Sequence, residues 1–168
     1  MRIRPALPRD LPLLPEVERS AAQAFTELPG LAWLASSDVL DHAAHQAFLA
    51  RGDSWVAVDD DDRPIGFLCA QTAGSELHIH ELSVHERAQG KGLGRRLLRE
   101  AIDAARSRGL QAVTLTTFAD VPWNAPFYAR LGFATLTPAQ LDERLRGILR
   151  DEQAHGLSGR CAMRLAIG

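Results

Sequence analysis

A glycine-rich loop between a predicted strand and a predicted helix constrains this sequence more than any other feature. The loop is Gln89-Gly90-Lys91-Gly92-Leu93-Gly94; it follows the β-rich run Glu76–His85, and the amphipathic run Gly92–Gly109 begins within it. Glycine lets several backbone N–H groups converge, and the N-terminus of a helix carries a partial positive charge. A loop of this kind binds a phosphate or a pyrophosphate.

Two common nucleotide-binding motifs do not fit the loop. A Walker A loop has Ser or Thr after its Gly-Lys pair, whereas Gly92 follows Lys91 here. A dinucleotide-binding fingerprint would need a third glycine at Arg95 or Leu97, and an acidic residue near Gln111. A plain flexible turn is the remaining alternative, and it would leave the flanking strand, helix and arginines unexplained.

Strand-like and helix-like runs alternate along the chain and predict an α/β fold in one domain over residues 1–168. Strands are predicted at Ile3-Arg4, Ser54–Asp59, Pro64–Ala73, Glu76–His85, Ala112–Phe118, Phe133–Leu136 and Cys161–Ile167. Helices are predicted at Leu11–Ala24, Asp38–Ala50, Gly92–Gly109, Trp123–Leu131 and Pro138–Ala154. Asp10 is the expected cap of the first helix, and Pro15 leaves the start of that helix open.

Charge and composition favour a globular protein without a nucleic-acid partner, since the net charge is −2. No apolar run is long enough for a membrane span, and the N-terminus lacks the apolar core of a signal peptide. We therefore expect a cytoplasmic protein without a membrane partner, as a monomer or a homodimer. Cys69 and Cys161 lie in apolar strand-like runs and are expected to be buried free thiols.

Two segments resemble the hallmark motifs of the GCN5-related N-acetyltransferase (GNAT) superfamily. Leu82-Ser83-Val84-His85 and the following loop resemble motif A, whose Arg/Gln-x-x-Gly-x-Gly/Ala pattern falls on Gln89, Gly92 and Gly94. The segment 124–133 is similar to the second hallmark, Asn…Phe/Leu-Tyr…Gly-Phe. The resemblance implies the GNAT fold, a central mixed and mostly antiparallel sheet that is splayed at the cofactor site and flanked by helices.

The same resemblance implies acetyl-CoA as the acyl donor and no metal. In the family, amides of the loop hold the pyrophosphate of acetyl-CoA, and the preceding strand binds the pantetheine arm. The implied cofactor-binding residues are Leu82, Ser83, Val84, Gln89, Gly90, Lys91, Gly92, Leu93, Gly94, Arg95, Asn124 and Phe127. Asn124 has a second interpretation as the N-cap of the following helix.

Tyr128 is the one tyrosine of the chain. By resemblance it occupies the position whose hydroxyl donates a proton to the sulfur of the coenzyme. The alternative is an aromatic side chain that packs in the core beside Phe127 and Phe133.

His78 and His80 lie two residues apart on one predicted strand, so their side chains share a face, and Glu81 lies on the opposite face. A neutral imidazole can accept the proton of an ammonium, which makes either histidine a candidate base, with His80 favoured. This strand resembles the corresponding strand of serotonin N-acetyltransferase, without implying an arylalkylamine substrate. A histidine pair that merely lines a cleft is the alternative, and no third ligand supports a metal site. His85 is expected to order the turn, and His42 and His45 to lie at the surface.

The acceptor pocket is expected around the segment 25–34. In this fold the N-terminal helices and their connecting loop wall the acceptor, which makes Phe25, Leu28, Leu31 and Trp33 candidate substrate-binding residues, with Trp123 on the other side. Together they predict an aromatic, rather apolar pocket. The alternative is that these side chains close the core. The sequence therefore predicts an N-acetyltransferase that acts on a primary amine of a small molecule by direct attack. Acetylation of a protein N-terminus or lysine, a non-catalytic acyl-CoA-binding module and a longer acyl donor remain open.

Overall fold

The computed structural model describes residues Met1–Gly168. Five α-helices are present, α1 (Leu14–Ala22), α2 (His42–Ala50), α3 (Leu93–Ser107), α4 (Ala125–Arg130) and α5 (Glu143–Ala154). Seven strands form one sheet, β1 (Arg2–Pro5), β2 (Ser54–Val58), β3 (Pro64–Ala73), β4 (Glu76–Val84), β5 (Ala112–Phe118), β6 (Ala134–Thr135) and β7 (Arg160–Ala166). Short 3-10 turns lie at Pro8–Leu13, Gln23–Glu27, Ala32–Ser36, Glu86–Ala88 and Pro138–Gln140.

The sheet has the strand order β1-β2-β3-β4-β5-β7-β6. The pair β4 and β5 is parallel, and β1 with β2, β2 with β3, β5 with β7 and β6 with β7 are antiparallel. This arrangement confirms the predicted mixed, mostly antiparallel sheet with flanking helices. No helix combines the length and the apolar character that crossing a membrane would require.

Two compact units can be distinguished along the chain. The first comprises residues Met1–Gln71 and His80–Ala104, and the second comprises Thr72–Ile79 and Ala105–Gly168. Strands β3 and β4 contribute residues to both units. The single GNAT domain over residues 1–168 stays a prediction.

The core of the first unit lies between the sheet and the N-terminal helices. It comprises Ala6, Leu11, Leu14, Val17, Phe48, Val56, Val58, Phe67 and Cys69. Helix α3 buries Leu93, Leu97, Leu98 and Ala101, and its arginines lie on the exposed side. The predicted amphipathic pattern of this helix is therefore confirmed.

The start predicted for the first helix is wrong. Residues Pro8–Leu13 form a 3-10 turn, and the α-helix begins at Leu14. Pro12 lies inside that turn, and Pro15 lies in the first turn of α1. A proline has no N–H to donate, so it is tolerated in the first turn of an α-helix but not further inside, and the helix cannot begin as early as Leu11. Asp10 is buried and does not cap α1; its carboxylate accepts a hydrogen bond from the Leu7 amide and pairs with Arg4.

Helix α2 corrects the expectation for one of its two histidines. Asp41 is the N-cap, with its side chain accepting from the Ala44 amide over 2.8 Å, so the helix begins later than the predicted Asp38. His42 is exposed, whereas His45 is fully buried and lies edge-on to the ring of Phe67, with 5.1 Å between the ring centroids. Neither ring nitrogen of His45 has a hydrogen-bond partner.

The second unit is built around β5. The parallel pairing of β4 with β5 runs from Glu76 opposite Ala112 to His78 opposite Thr114. Helix α5 begins at Glu143 behind the N-cap Asp142, later than the predicted Pro138, because a separate 3-10 turn precedes it.

Candidate functional site

The glycine loop has the backbone geometry that a phosphate site needs. Gly90 and Gly92 have φ angles of +78° and +79°, which side chains other than glycine rarely adopt. A Cβ atom added at either position would meet no atom within 4 Å, so conformation and not packing requires glycine here. Buried Leu93 anchors the start of α3, whose first amides have no partner within the helix. The loop therefore fits a phosphate group at the N-terminus of α3.

Side chains fix the turn that leads into the loop. The Gln89 side chain donates from Nε2 to the Val84 carbonyl over 2.9 Å. His85 accepts at Nδ1 from the Arg87 amide over 3.2 Å, which confirms its predicted role in ordering the turn. The Glu86 amide donates to the Ser20 hydroxyl over 3.0 Å and ties the turn to α1.

The basic side chains near the loop have different surroundings. Lys91 and Arg95 are exposed beside the glycines. The Arg96 guanidinium instead donates to the Met1 carbonyl over 3.3 and 3.4 Å. Arg87 faces a separate cavity of about 100 Å³, lined by Leu13, Glu16, Val17, Arg63, Pro64, His85 and Arg87. Lys91 and Arg95 are therefore the cations best placed for a phosphate at the loop.

Strand β4 carries the candidate bases on alternating positions. Leu77 and Ile79 are buried, whereas His78 is half-buried and His80 is exposed, so the alternation of faces is confirmed. The His80 ring lies 5.1 Å from the ring of Phe48 on α2, with an interplanar angle of 43°. The apolar ring of Phe48 therefore supports one side of the His80 imidazole.

The residues of β4 beyond His80 form the predicted pantetheine-binding strand. Leu82 and Val84 are half-buried, whereas Ser83 is buried and its hydroxyl donates to the Glu81 carboxylate over 3.1 Å. The side chain of Ser83 is thus occupied within the protein, and its backbone remains the candidate group for the coenzyme.

In the second unit His78 contacts β5. Its Nδ1 lies 2.9 Å from the hydroxyl of Thr114, a residue that is completely buried. No sequence pattern indicates this partner, because Thr114 is 36 residues away and belongs to an ordinary strand pattern.

Asn124 occupies the N-cap position of α4, but its side chain does not cap the helix. Its Oδ1 accepts from the Thr117 hydroxyl over 2.8 Å and from the Phe118 amide over 3.2 Å. The capping interpretation of this side chain is therefore wrong, since the carbonyl of the amide is bound to β5. The Nδ2 group is the part of the side chain that can serve a ligand.

Tyr128 lies on α4 between two phenylalanine rings. The ring centroids of Phe127 and Phe133 lie 5.1 and 5.8 Å from that of Tyr128, with interplanar angles of 73° and 66°. Phe133 is buried, whereas Tyr128 and Phe127 are half-buried. The Tyr128 ring thus takes part in packing, and its partial exposure leaves the role of its hydroxyl a prediction.

The segment predicted to wall the acceptor lies outside the buried core. Phe25, Leu28 and Leu31 are half-buried, and Trp33 remains 44% exposed while its indole donates to the Gly30 carbonyl over 3.1 Å. Trp123 of the second unit is 41% exposed. These side chains therefore do not close the core, and their contact with an acceptor stays a prediction.

An open cleft of about 510 Å³ adjoins the glycine loop within the first unit. It is lined by Gln23, Ala24, Thr26, Glu27, Glu86 and Gln89. The lining is polar and includes two carboxylates, unlike the apolar pocket expected from the sequence. None of the predicted acceptor residues is among these six.

Comparison with known proteins gives one family match. The sequence model of the acetyltransferase (GNAT) family matches residues 18–133, which include the glycine loop, both strand histidines and Tyr128.

Two relatives and one solved structure are similar to this chain. A mycothiol acetyltransferase of Pseudarthrobacter chlorophenolicus is 36% identical over 123 residues, which are 61% of this chain and 38% of the relative. The N-alpha-acetyltransferase 30 of Schizosaccharomyces pombe is 35% identical over 85 residues, 48% of this chain and 56% of the relative. The crystal structure of Rv2747 from Mycobacterium tuberculosis in complex with CoA has a TM-score of 0.74 at 17% identity, with both chains fully covered. The chain thus spans well under two thirds of the length of the relatives matched by sequence.

Proposed function

The chain belongs to the acetyltransferase (GNAT) family, and on that premise we propose that it transfers acetyl from acetyl-CoA to a primary amine of a small molecule. The observation that carries this proposal is the loop at Gly90 and Gly92, where two left-handed residues open directly into α3. A family match alone would also be found for a chain that can no longer bind acetyl-CoA. The intact geometry of the loop argues against such a loss.

Acetyl-CoA, when bound, supplies an acetyl group activated as a thioester. The amides from Gly90 to Gly94 would hold its pyrophosphate, with Lys91 and Arg95 balancing the negative charge. The backbone of Leu82, Ser83 and Val84 would bind the pantetheine arm. Asn124 Nδ2 and Phe127 are further proposed contacts of the coenzyme.

His80 is the proposed base. A primary alkylamine is almost entirely protonated at neutral pH, and only the neutral amine can attack a carbonyl carbon. His80 would accept the proton of the amine directly or through a water molecule. Its exposed position gives a protonated amine access to the imidazole, and Phe48 fixes the orientation of the ring.

Tyr128 is the proposed acid. As the C–N bond forms and the C–S bond breaks, the departing sulfur needs a proton, and the Tyr128 hydroxyl would donate it. The ammonium loses two protons on its way to the amide. The first would go to His80 and on to solvent, and the second, lost from the nitrogen after the C–N bond forms, would return through water to the oxygen of Tyr128 and restore its hydroxyl. The contacts with Phe127 and Phe133 would hold the Tyr128 ring in place for this transfer.

The polar cleft favours an acceptor with polar or cationic groups around its amine. Glu27 and Glu86 would attract a cation, and Gln23 and Thr26 offer hydrogen bonds. The same polar, open lining favours a second candidate, the N-terminal amine of a peptide, whose backbone presents donors and acceptors. The similarity to an N-alpha-acetyltransferase supports this candidate.

An amine panel tests both candidates in one assay. Small polyamines, amino sugars, amino acid esters and short peptides with free N-termini are incubated with acetyl-CoA, and release of free thiol is followed. Faster release with small amines supports the first proposal, and faster release with peptides supports the second. No amine-dependent release with any acceptor, although acetyl-CoA binds, would instead indicate a non-catalytic acyl-CoA-binding module.

A further inference from the structure

A chain of polar side chains in the second unit ends on His78. Arg164 Nε donates to Glu76 Oε2 over 2.9 Å, and Arg144 Nη2 donates to Glu76 Oε1 over 3.3 Å. The same Nη2 donates to Thr114 Oγ1 over 3.2 Å. Thr114 Oγ1 in turn lies 2.9 Å from His78 Nδ1. Residues from β4, β5, α5 and β7 thus form one network, and Thr114 connects it to the His78 imidazole.

The hydroxyl of Thr114 decides which way the last hydrogen bond points. A hydroxyl has one proton to donate and two lone pairs, and a guanidinium can only donate. Arg144 therefore occupies one lone pair of Oγ1. If His78 Nδ1 donated to the other lone pair, both side-chain partners of the hydroxyl would be donors. The hydroxyl proton would then have no acceptor among them. Thr114 is completely buried, so a proton without an acceptor would cost about 1 to 3 kcal/mol.

The opposite arrangement satisfies every group. The Thr114 hydroxyl donates its proton to His78 Nδ1 and accepts from Arg144. A neutral imidazole that accepts at Nδ1 carries its proton on Nε2. The charged groups of this network are Glu76 on β4, Arg144 on α5 and Arg164 on β7, two cations against one carboxylate.

We propose that Thr114 and Arg144 are positioning residues that hold neutral His78 in the Nε2–H tautomer, which makes His78 a hydrogen-bond donor and excludes it as the base. The consequence for catalysis rests on the proposed function: if the protein is an acetyltransferase, His80 is the histidine that takes the proton of the amine. An Nε2–H group donates a hydrogen bond to an acceptor such as an oxygen atom. It cannot accept the proton of an ammonium, which is what a base has to do.

The tautomer can be measured without any turnover. Protein labelled with ¹⁵N in its histidines gives separate signals for protonated and unprotonated ring nitrogens, and the His78→Gln variant identifies the His78 pair. Near neutral pH we expect Nδ1 of His78 to be unprotonated and Nε2 protonated. Thr114→Val, which has the same shape without the hydroxyl, should mix the two tautomers, and Thr114→Ser should preserve the single one.

A predominant Nδ1–H tautomer in the unmodified protein would overturn the proposal, and so would a single Nε2–H tautomer in Thr114→Val. If Thr114→Val does not fold, Arg144→Met gives the same test: loss of the guanidinium donor frees the second lone pair and should admit the Nδ1–H form, while an unchanged spectrum counts against the network. Failure of every amine in the panel would remove the acetyltransferase proposal and leave the tautomer assignment intact, so the two failures are distinguishable.

Discussion

Gln89 Nε2 donates a hydrogen bond to the carbonyl oxygen of Val84 over 2.9 Å. Five residues separate the two along the chain, and the bond closes the turn between the end of β4 and the glycine loop. The Gln89 side chain is thus engaged by the strand, and the backbone amides after it are left to a ligand. A loop that is held in its binding conformation before the ligand arrives loses less conformational entropy on binding.

Binding of acetyl-CoA tests the loop directly. Gly92→Glu places a carboxylate where the pyrophosphate is proposed to lie and forces a side chain into a backbone conformation with φ of +79°. We expect titration calorimetry to show no measurable binding of acetyl-CoA by this variant. Undiminished affinity would place the donor site elsewhere.

Gly52→Glu is the matched control for that experiment. Gly52 has a φ of +76°, and a Cβ atom added there would also meet no atom within 4 Å, so the backbone strain and the added charge are the same. Since Gly52 lies between α2 and β2, far along the chain from the loop, Gly52→Glu should bind acetyl-CoA like the unmodified protein. Equal losses in both variants would show that strain, and not the site, explains the effect.

Removal of the hydroxyl of Tyr128 tests the proposed acid. Tyr128→Phe keeps the ring and its contacts with Phe127 and Phe133, so the affinity for acetyl-CoA should change little. The value of kcat should fall by about a hundredfold, a typical contribution of a general acid. Pre-steady-state kinetics must first show that chemistry limits the rate, and an unchanged kcat would then remove Tyr128 from the mechanism.

The pH dependence of turnover tests His80 as the base. The rate should fall toward low pH as an imidazole becomes protonated, in addition to any effect of the amine itself. His80→Ala should remove or flatten this acidic limb of kcat/KM, whereas His78→Gln should lower the rate and keep the limb. If the double variant retains the rate and the pH profile of the unmodified protein, neither histidine takes part, and Glu81 or bulk water becomes the candidate.

His45 makes the stability of the chain depend on pH. Burial lowers the pKa of His45, and the charges of His42 and His80 lower it further, against an opposing effect of Asp41. In the unfolded chain His45 has a pKa of about 6.5 and binds a proton below that pH, whereas in the folded chain it stays neutral to a lower pH. The free energy of unfolding therefore falls as the pH drops below about 6.5, until the lower pKa of the folded state is passed. Above about pH 6.5 this contribution is constant.

Denaturant unfolding at several pH values measures this effect. His45→Leu removes two unpartnered buried nitrogens, so at neutral pH it should raise the free energy of unfolding by about 1 to 3 kcal/mol. It should also flatten the decline below about pH 6.5. Gln46→Leu, on the same helix but exposed and without a titratable group, is the control and should change neither. A decline of equal size in His45→Leu would assign the pH dependence to other groups.

The strands could be predicted from the sequence because each is a short apolar or alternating run between turn residues. The range Ala112–Phe118 was predicted with the observed bounds, and the hairpin at Asp59–Asp62 follows from its run of acidic residues. The first residues of the helices were harder to predict, since the sequence alone does not distinguish Asp38 from Asp41 as an N-cap. Hydrogen bonding of the Asp41 side chain to Ala44 decides between them only in the folded chain.

The contacts of the site side chains could not be predicted, because they join residues that are distant in sequence. The pattern around Asn124 indicates a helix cap, and only the neighbouring β5 shows that its carbonyl is bound to Thr117 instead. The sequence predicts His45 at the surface together with His42, three positions earlier on the same helix face. Phe48, three positions later and buried, is the signal that could have placed His45 inward. Arg144 lies 30 residues from Thr114, and no local pattern connects the two.

The stoichiometry of a single reaction tests whether the acetyl group is transferred from acetyl-CoA to the amine. Acetyl-CoA with an isotopically labelled acetyl group is incubated with the best amine of the panel, and free thiol and labelled N-acetyl product are quantified together by absorbance and mass spectrometry. The account predicts equal molar amounts of both, with neither formed by Gly92→Glu. Thiol released without acetylated amine would instead indicate a hydrolase and contradict the proposed transfer.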